Sequence, residues 1–437
     1  MPGSSGRGAS RQPGCATGHK RQRPVPDPSP LPSSAACDGV SISAIAQEAG
    51  TPVYVYSATA IRERYAELDE GFGDYPHRIH YALKANSTVA IARLIQTLGG
   101  RVDANSGGEI EVARRAGFCP DDIVFTGVGK SRDELELAVG LGVHAVNAES
   151  HGELERLDQI ATALGTKARV AVRLNPDVAT ATHPHVSTGQ RSHKFGIPVN
   201  QAREVCRWAV TRGGLNLVGV HVHVGSQLVE MEPVRRAVRI VAEFATELAG
   251  LGIELEHLDV GGGLGISYDG APTATAAAYA QTVVEAARGT GLPVVTEPGR
   301  WIIGPAGMLV ASVVDVKPRG AERYFIVVDA GMSELIRPAL YGSFHRIELT
   351  APRATPVVAC DVVGPICETS DVFGTEREMP LPEVGDLVVI RDAGAYGSAM
   401  ASNYNRHPLP AEVLVDDGKW SIIRRRQTVD DMLAMET

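Results

Sequence analysis

The feature that most constrains the fold is an alternation of short β-branched runs and helical segments, which starts near residue 75. Eight apolar runs begin within about 230 residues, near Ile79, Val102, Ile123, Ala145, Val170, Leu217, Leu255 and Pro293. Amphipathic segments such as Glu109–Ala116 and Val234–Leu251 separate them. Strands that alternate with helices form a parallel sheet, and eight such units fit a closed (β/α)8 barrel better than an open doubly wound sheet.

The pattern changes after about Trp301, where helical periodicity gives way to short β runs. These runs are Met308–Lys317, Tyr324–Val328, Pro356–Val363, Leu387–Ile390, Ala411–Val415 and Trp420–Arg424. Turns containing proline or glycine separate them. The sequence therefore predicts an α/β plus all-β protein, with a TIM-type barrel at residues 57–300 and a C-terminal β-sandwich or β-barrel domain at 301–437. Residues 38–56 are expected to add to the β domain.

The first 37 residues have a different composition from the rest of the chain. They are rich in Gly, Ser, Pro and Arg, and no acidic residue precedes Asp27. They also lack the apolar run of a secretory signal. This composition predicts a disordered tail over residues 1–37.

Overall composition excludes several classes of protein. The 437 residues are 44% hydrophobic and 21% charged, as is ordinary for a soluble globular protein. The net charge of −9 argues against non-specific nucleic-acid binding. No apolar run approaches the roughly 18 residues of a membrane span. The six cysteines are scattered and form no C-x-x-C pair, which favours a reducing cytoplasm over a disulfide framework or a zinc site.

Lys84 ends the apolar run Arg78–Leu83 and precedes a polar break. Such a lysine either extends to solvent or faces a cleft, where desolvation would lower its pKa and make it a nucleophile able to form a Schiff base. Other strand ends favour the cleft, because they also carry polar residues, as barrel active sites do. These residues are Asn105–Ser106, Asn147, Arg173–Asn175, His221, His223, Asp259 and Glu297.

Two loops are suited to binding an anion. Gly261–Gly265 follows the seventh predicted strand, and consecutive glycines let backbone N–H groups approach an anion closely. The eighth strand ends in Thr296–Arg300. Barrels frequently bind phosphate with these two loops. A dinucleotide fingerprint is excluded, because its last glycine would have to replace Ile266.

His221 and His223 end the sixth predicted strand and share one face of it. Two histidines at the catalytic end of a barrel indicate a binding site. A metal pair is the alternative hypothesis, and it is the weaker one because no third ligand stands at a metal-like spacing.

In combination, these motifs resemble those of the fold-type III pyridoxal-phosphate decarboxylases, from about Asp38 to the C-terminus. The motifs are Tyr81–Asn86, His183–Gly189 with Lys194–Gly196, His221–Gln227, Glu297–Arg300, Leu335–Gly342, Gly364–Glu368 and Asp392–Gly397. Within the family, they are most similar to those of members that convert meso-diaminopimelate to L-lysine and CO₂.

The resemblance implies pyridoxal 5′-phosphate as the cofactor and assigns residues to it. Lys84 forms the Schiff base, His223 stacks on the ring, and Glu297 pairs with the ring nitrogen. The residues implied for the phosphate region are Ser226, Gly261, Gly262, Gly263, Gly299, Arg300 and Tyr396.

The resemblance also implies how a small amino-acid substrate is bound. Arg300, Arg337 and Tyr341 hold the distal carboxylate of the substrate, with Tyr396 closing over the site. Cys367 donates a proton and Glu368 holds the distal ammonium. In the family this last pair reaches the neighbouring subunit's site, which implies a homodimer with shared sites.

Two hypotheses compete with this function. The chain could decarboxylate another amino acid, such as ornithine, arginine, lysine or a secondary-metabolism substrate. It could also be a non-catalytic homologue that binds the cofactor, although such a protein would be expected to have lost Lys84 or Cys367. Two positions depart from the usual family pattern, namely Ala104-Asn105 and Trp301.

Overall fold

The computed structural model describes residues 35–178, 194–320, 323–351 and 353–437. Residues 1–34 of the predicted tail and the motif His183–Gly189 lie outside the described residues. The strands are β1 Ala36–Cys37, β2 Val40–Ser41, β3 Val53–Ser57, β4 His77–Ala82, β5 Arg101–Ala104, β6 Ile123–Phe125, β7 Ala145–Ala148, β8 Ala168–Asn175, β9 Ile197–Pro198, β10 Leu215–Val222, β11 His257–Asp259, β12 Val294–Thr296, β13 Gly307–Pro318, β14 Arg323–Val328, β15 Ile347–Leu349, β16 Val357–Val363, β17 Val372–Pro380, β18 Leu387–Ile390, β19 Ala411–Asp416 and β20 Lys419–Arg424. The helices are α1 Ile42–Ala49, α2 Ala58–Phe72, α3 Val89–Thr97, α4 Gly107–Ala116, α5 Arg132–Leu141, α6 His151–Ala163, α7 Val199–Ala209, α8 Glu232–Gly250, α9 Ala276–Ala287, α10 Arg300–Ile303, α11 Arg337–Tyr341 and α12 Val429–Leu433.

The predicted (β/α)8 barrel is confirmed. Strands β4 to β8 and β10 to β12 pair in parallel around the barrel, and β12 closes it on β4 through the register Thr296↔Ile79. Each of the eight predicted runs forms one of these strands. The amphipathic segments form the outer helices, and the longest, α8, buries an apolar face that includes Val234, Val241 and Phe244.

A second sheet follows the barrel and confirms the predicted β region. Its strand order is β17-β16-β14-β13-β3-β19-β20, with β18 and β15 continuing from β13. Strand β3 precedes the barrel in sequence, yet it pairs antiparallel to β13 and parallel to β19. The barrel is therefore inserted between strands of one sheet.

Sequence reasoning missed two strands of this sheet, β15 and β17. Strand β17 is an edge strand rich in charged residues, so it lacks the apolar alternation that marks a half-buried strand. The boundary expected after residue 37 also falls inside ordered structure. Cys37 belongs to β1 and is buried against a small apolar cluster with Ile42 and Ile45.

Among the helices of the described residues, none has the length and apolar character needed to cross a membrane.

Three buried histidines lie inside the barrel, near the amino-terminal ends of its strands. The His144 ring centroid is 5.8 Å from that of His80 and 5.2 Å from that of His257. Burial, together with His144 and the nearby Arg78, lowers the pKa of His257 to about 3. Burial also lowers the pKa values of His80 and His144. The folded barrel therefore holds this cluster in its neutral form.

We expect the protein to lose stability as the pH falls below the ordinary histidine pKa of about 6.5. Because the pKa is depressed in the folded state, the unfolded chain takes up protons first. The neutral cluster stabilises the fold fully above pH 6.5, and this contribution is lost as the pH falls towards 3. At pH 5, the depressed pKa of His257 alone would lower the free energy of unfolding by about 2 kcal/mol. The melting temperature should fall between pH 7.5 and 5, and less steeply in a His257→Gln variant. Equal slopes for the two proteins would contradict this account.

Candidate active site

A cleft of about 720 Å³, including its open mouth, lies at the carboxyl ends of the barrel strands and reaches the second sheet. Its lining includes most of the predicted site residues, namely Lys84, His223, Ser226, Gly263, Glu297, Gly299, Arg300, Arg337, Tyr341 and Tyr396. Two further lining residues were not predicted, Ala82 and Leu264.

Lys84 lies in the short turn Leu83–Ala85 that directly follows β4. Its Nζ donates to Asp103 Oδ2 at 3.0 Å and to Asn105 Oδ1 at 3.4 Å. Burial by itself would lower the pKa of Lys84, but Asp103 and Glu297 outweigh burial and raise it. The expectation of a pKa lowered by desolvation was therefore wrong, because it neglected a carboxylate on the neighbouring strand β5. Lys84 must transfer a proton before it can act as a nucleophile, and Asp103 is placed to receive it.

Glu297 follows β12 and is buried in the barrel interior. Its Oε1 accepts from Thr126 Oγ1 at 3.3 Å and from Asn147 Nδ2 at 3.4 Å. Burial acts to raise the pKa of Glu297, but His221 and Lys84 outweigh it and hold the pKa below the ordinary range. Burial and repulsion from Glu297 raise the pKa of Asp259 well above its usual value. The two carboxyl groups thus affect each other's pKa in opposite directions, and Glu297 is the one held in its ionised form.

His221, Asp259 and Glu297 place their ligand-type atoms within 4.8 Å of one another. The sequence argument against a metal was that no third ligand stands at a metal-like spacing, and in space Asp259 and Glu297 lie beside His221. Asp259 and Glu297 come from two other strands, so no sequence spacing reveals them. His223, the second member of the predicted pair, lies apart from this cluster. Its Nδ1 accepts from the Gly262 N–H at 3.2 Å and it lines the cleft.

The glycine loop after β11 packs so closely on its neighbours that side chains are excluded. A Cβ atom on Gly262 would lie 2.1 Å from the Glu297 carbonyl oxygen. Gly263 has a φ of +109° and faces the cleft. Beside this loop, Arg300 Nη2 donates to Ser226 Oγ at 3.1 Å. Backbone, a hydroxyl and a guanidinium thus converge on one end of the cleft, which suits a phosphate group.

Arg300 and Arg337 are both buried at the cleft wall. Neither has a carboxylate within salt-bridge distance among the residues that the structure describes, and the Nε atoms of both find no hydrogen-bond partner there. Arg300 also contacts Tyr268, and Arg337 contacts His345, two residues that sequence reasoning missed. Two buried cations without counter-ions indicate that the ligand supplies negative charge.

Cys367 and Glu368 do not line the cleft of their own chain and are exposed. Asn405 Nδ2 donates to Cys367 Sγ at 3.1 Å, and Tyr404 Oη donates to Glu368 Oε1 at 2.6 Å. A role for this pair in the cleft would therefore require a second subunit.

Comparisons with known proteins identify the family. Residues 58–304 match the model for the pyridoxal-dependent decarboxylase, pyridoxal binding domain. The diaminopimelate decarboxylase of Pseudomonas aeruginosa is 42% identical over 92% of this chain and 96% of that protein. This chain belongs to the diaminopimelate decarboxylase family. The enzyme of the same name from Neisseria meningitidis is also 42% identical, over 92% of this chain and 98% of its own length.

Solved structures of diaminopimelate decarboxylases share the fold. A Helicobacter pylori enzyme complexed with L-lysine superposes with a TM-score of 0.87 at 41% identity, covering 90% of this chain and 98% of that one. An enzyme from M. jannaschii, in co-complex with L-lysine, gives a TM-score of 0.87 at 35% identity, over 92% of this chain and 95% of its own.

Membership of the diaminopimelate decarboxylase family makes this chain a pyridoxal 5′-phosphate enzyme, and the cleft has the residues that such a cofactor needs. Of the two departures from the family pattern, Asn105 contacts Lys84 directly. Trp301 points away from the cleft, since its Nε1 donates to the Arg64 carbonyl oxygen at 3.2 Å.

Proposed function

We propose that this protein catalyses the pyridoxal 5′-phosphate-dependent decarboxylation of meso-2,6-diaminopimelate to L-lysine and CO₂, the last step of lysine biosynthesis. The observation that carries the proposal is a pair of buried arginines that have no carboxylate partner among the described residues, in the same cleft as Lys84 and Glu297. In the reaction one C–C bond to a carboxylate breaks, CO₂ leaves, and a proton takes its place on carbon.

The bound cofactor supplies a conjugated ring that accepts the electron pair left behind by CO₂. Lys84 would hold it covalently, and His223 would pack on its ring. Glu297, kept ionised by His221, would hold the proton on the ring nitrogen. The phosphate would be held by a group of residues near the glycine loop, namely Ser226, Gly261, Gly262, Gly263, Gly299, Arg300 and Tyr396.

Substrate selection would rest on the far wall of the cleft. Arg300, Arg337 and Tyr341 would bind the distal carboxylate, while Tyr396 covers the site. Fixing the far end of the substrate also sets which bond at the reacting carbon lies perpendicular to the ring. L-lysine lacks the second carboxylate, so it would leave two buried guanidinium groups unpaired and should bind more weakly.

We further propose that the active unit is a homodimer that works in the cytoplasm. Cys367 would protonate the product carbon and Glu368 would bind the distal ammonium, both in the partner subunit's cleft. The exposed position of the pair supports this arrangement. The cytoplasmic assignment is supported by the described cysteines, which are all free thiols.

A substrate screen tests the function directly. The purified holoenzyme would be given meso-diaminopimelate, L-lysine, L-ornithine and L-arginine separately, with CO₂ release and the amine product measured for each. We expect CO₂ and L-lysine from diaminopimelate, in equal amounts, and little release from the others. Faster release from lysine, ornithine or arginine would refute the substrate assignment.

Arg337→Met should raise the KM for diaminopimelate by roughly 10- to 100-fold, as expected for the loss of a charged hydrogen-bonding partner. Activity on L-lysine, if measurable, should change little, because lysine has no distal carboxylate. Arg353→Met is a suitable control, since Arg353 pairs with Asp386 outside the cleft. An unchanged KM in a folded Arg337→Met holoenzyme would contradict the role given to Arg337.

A further inference from the structure

His345 is a fully buried imidazole whose hydrogen bonds define its tautomer. Its Nδ1 lies 2.7 Å from the Arg391 carbonyl oxygen, which can only accept, so Nδ1 carries the hydrogen and donates. Burial, reinforced by the charge of Arg337, lowers the pKa of His345 to about 3, so the ring is neutral. Its Nε2 is therefore a bare acceptor, and Arg337 Nη1 donates to it at 2.9 Å.

Tyr268 touches both arginines of the cleft wall. Its hydroxyl accepts from Arg300 Nη1 at 2.7 Å. The Arg337 guanidinium carbon lies 4.6 Å from the Tyr268 ring centroid. The same ring packs edge-on against His345, with centroids 5.2 Å apart and planes at 72°. Tyr268 and His345 thus form one buried unit that fixes two guanidinium groups.

The chemistry of this unit differs from that of the other buried cation contacts in the barrel. Arg173 and Lys130 are each held by a glutamate, which neutralises them. Arg300 and Arg337 are held by a phenol and a neutral imidazole, which fix position but supply no negative charge. Burial, together with the charge of Arg300, lowers the pKa of Arg337, as expected for a buried cation beside another cation.

We propose that His345, in its Nδ1-protonated neutral form, and Tyr268 determine the selectivity for a distal carboxylate by positioning Arg337 and Arg300 while leaving their charge for the substrate. A carboxylate in place of either residue would compete with the substrate for the same guanidinium. His345 and Tyr268 are positioning residues, since they act through the arginines. The inference rests on the proposed function, in which Arg337 binds that carboxylate.

Two substitutions at position 345 separate the two hydrogen bonds of the imidazole. In His345→Gln the side-chain carbonyl can reach the Nε2 position and accept from Arg337. In His345→Asn the amide can still donate to the Arg391 carbonyl oxygen, but it is too short to reach Arg337. We expect His345→Asn to raise the KM for diaminopimelate roughly tenfold or more, with kcat within about threefold of wild type, while His345→Gln keeps both values near wild type.

Binding of a substrate-length dicarboxylate provides a readout that does not depend on turnover. Pimelate should inhibit the wild-type holoenzyme competitively, and its inhibition constant should rise in His345→Asn and Arg337→Met alike but not in His345→Gln. Cadaverine, which has no carboxylate, should bind all four proteins similarly. Cofactor absorbance and melting temperature would confirm that each variant is folded and loaded.

The outcomes test the role of His345 separately from the proposed function on which that role rests. If Arg337→Met weakens pimelate and His345→Asn does not, the role of His345 is overturned and the proposed function stands. If Arg337→Met itself has no effect on pimelate or on the KM, both the inference and the role given to Arg337 are overturned, while the substrate screen decides the function separately. If the position-345 variants fail to fold, Tyr268→Phe decides, because it keeps the ring and removes only the oxygen that Arg300 contacts. Unchanged pimelate binding in that variant would overturn the proposal.

Discussion

Lys84→Ala should abolish decarboxylation, with a loss of at least about a thousandfold, as is usual when a covalent catalytic residue is removed. Lys84 is the lysine that lines the described cleft, and its Nζ lies beside the buried Asp103. The substitution leaves Asp103 without its cation. Because Asp103 already has a raised pKa, it can take up a proton rather than remain a buried charge, and the fold should survive.

Borohydride reduction of the wild-type holoenzyme, followed by peptide mapping, is the direct measurement. The cofactor should be found on Lys84, and the reduced protein should be inactive. Lys167→Ala is the matched control, since Lys167 is exposed on the outside of the barrel, and it should retain full activity. Label on any lysine other than Lys84 would overturn the assignment.

Mixing two inactive variants should restore activity if the sites are shared between subunits. Lys84→Ala and Cys367→Ala homodimers should each be nearly inactive, because every site in them lacks one essential group. After subunit exchange, about half of the dimers are heterodimers, and each has one intact site and one doubly damaged site. Activity should therefore recover to roughly a quarter of wild type, given independent sites and C2 symmetry.

The control for this experiment is Cys119→Ala, since Cys119 is also an exposed free thiol but lies in the barrel. Mixed with Lys84→Ala, it should give no more activity than its own wild-type-like sites supply. Proven subunit exchange between Lys84→Ala and Cys367→Ala without recovery would mean that both residues act within one chain. That result would refute the shared site and leave the decarboxylase function intact.

The sequence predicts the barrel and the end of the barrel at which its active site lies, because the periodicity of apolar residues is a local property. Eight runs of apolar residues define eight strands, and Lys84 and Glu297 are at strand ends regardless of how the barrel closes. The charge state of Lys84 is not local. It depends on Asp103, which lies one strand away and reverses the effect of burial on the lysine pKa.

The residues that position the arginines could not be predicted from pattern alone. His345 lies in a connection between α11 and β15, and Tyr268 follows the glycine loop, so neither occupies a strand end. Their meeting depends on how the second sheet packs over the barrel. The cluster of His221, Asp259 and Glu297 was missed because its members lie on or directly after three strands that pair side by side, far apart in the sequence.

The insertion of the barrel between β3 and the rest of its sheet has a consequence for protein synthesis. Val53 in β3 pairs with Ala411 in β19, roughly 360 residues later. At a translation rate of about 5–20 residues per second, β3 leaves the ribosome roughly 20–70 s before this partner is made. Both of its edges are unpaired until β13 is made, and the edge that pairs with β19 stays unpaired for the whole interval. An unpaired apolar strand on a nascent chain is a target for chaperones and for neighbouring chains on the same polysome.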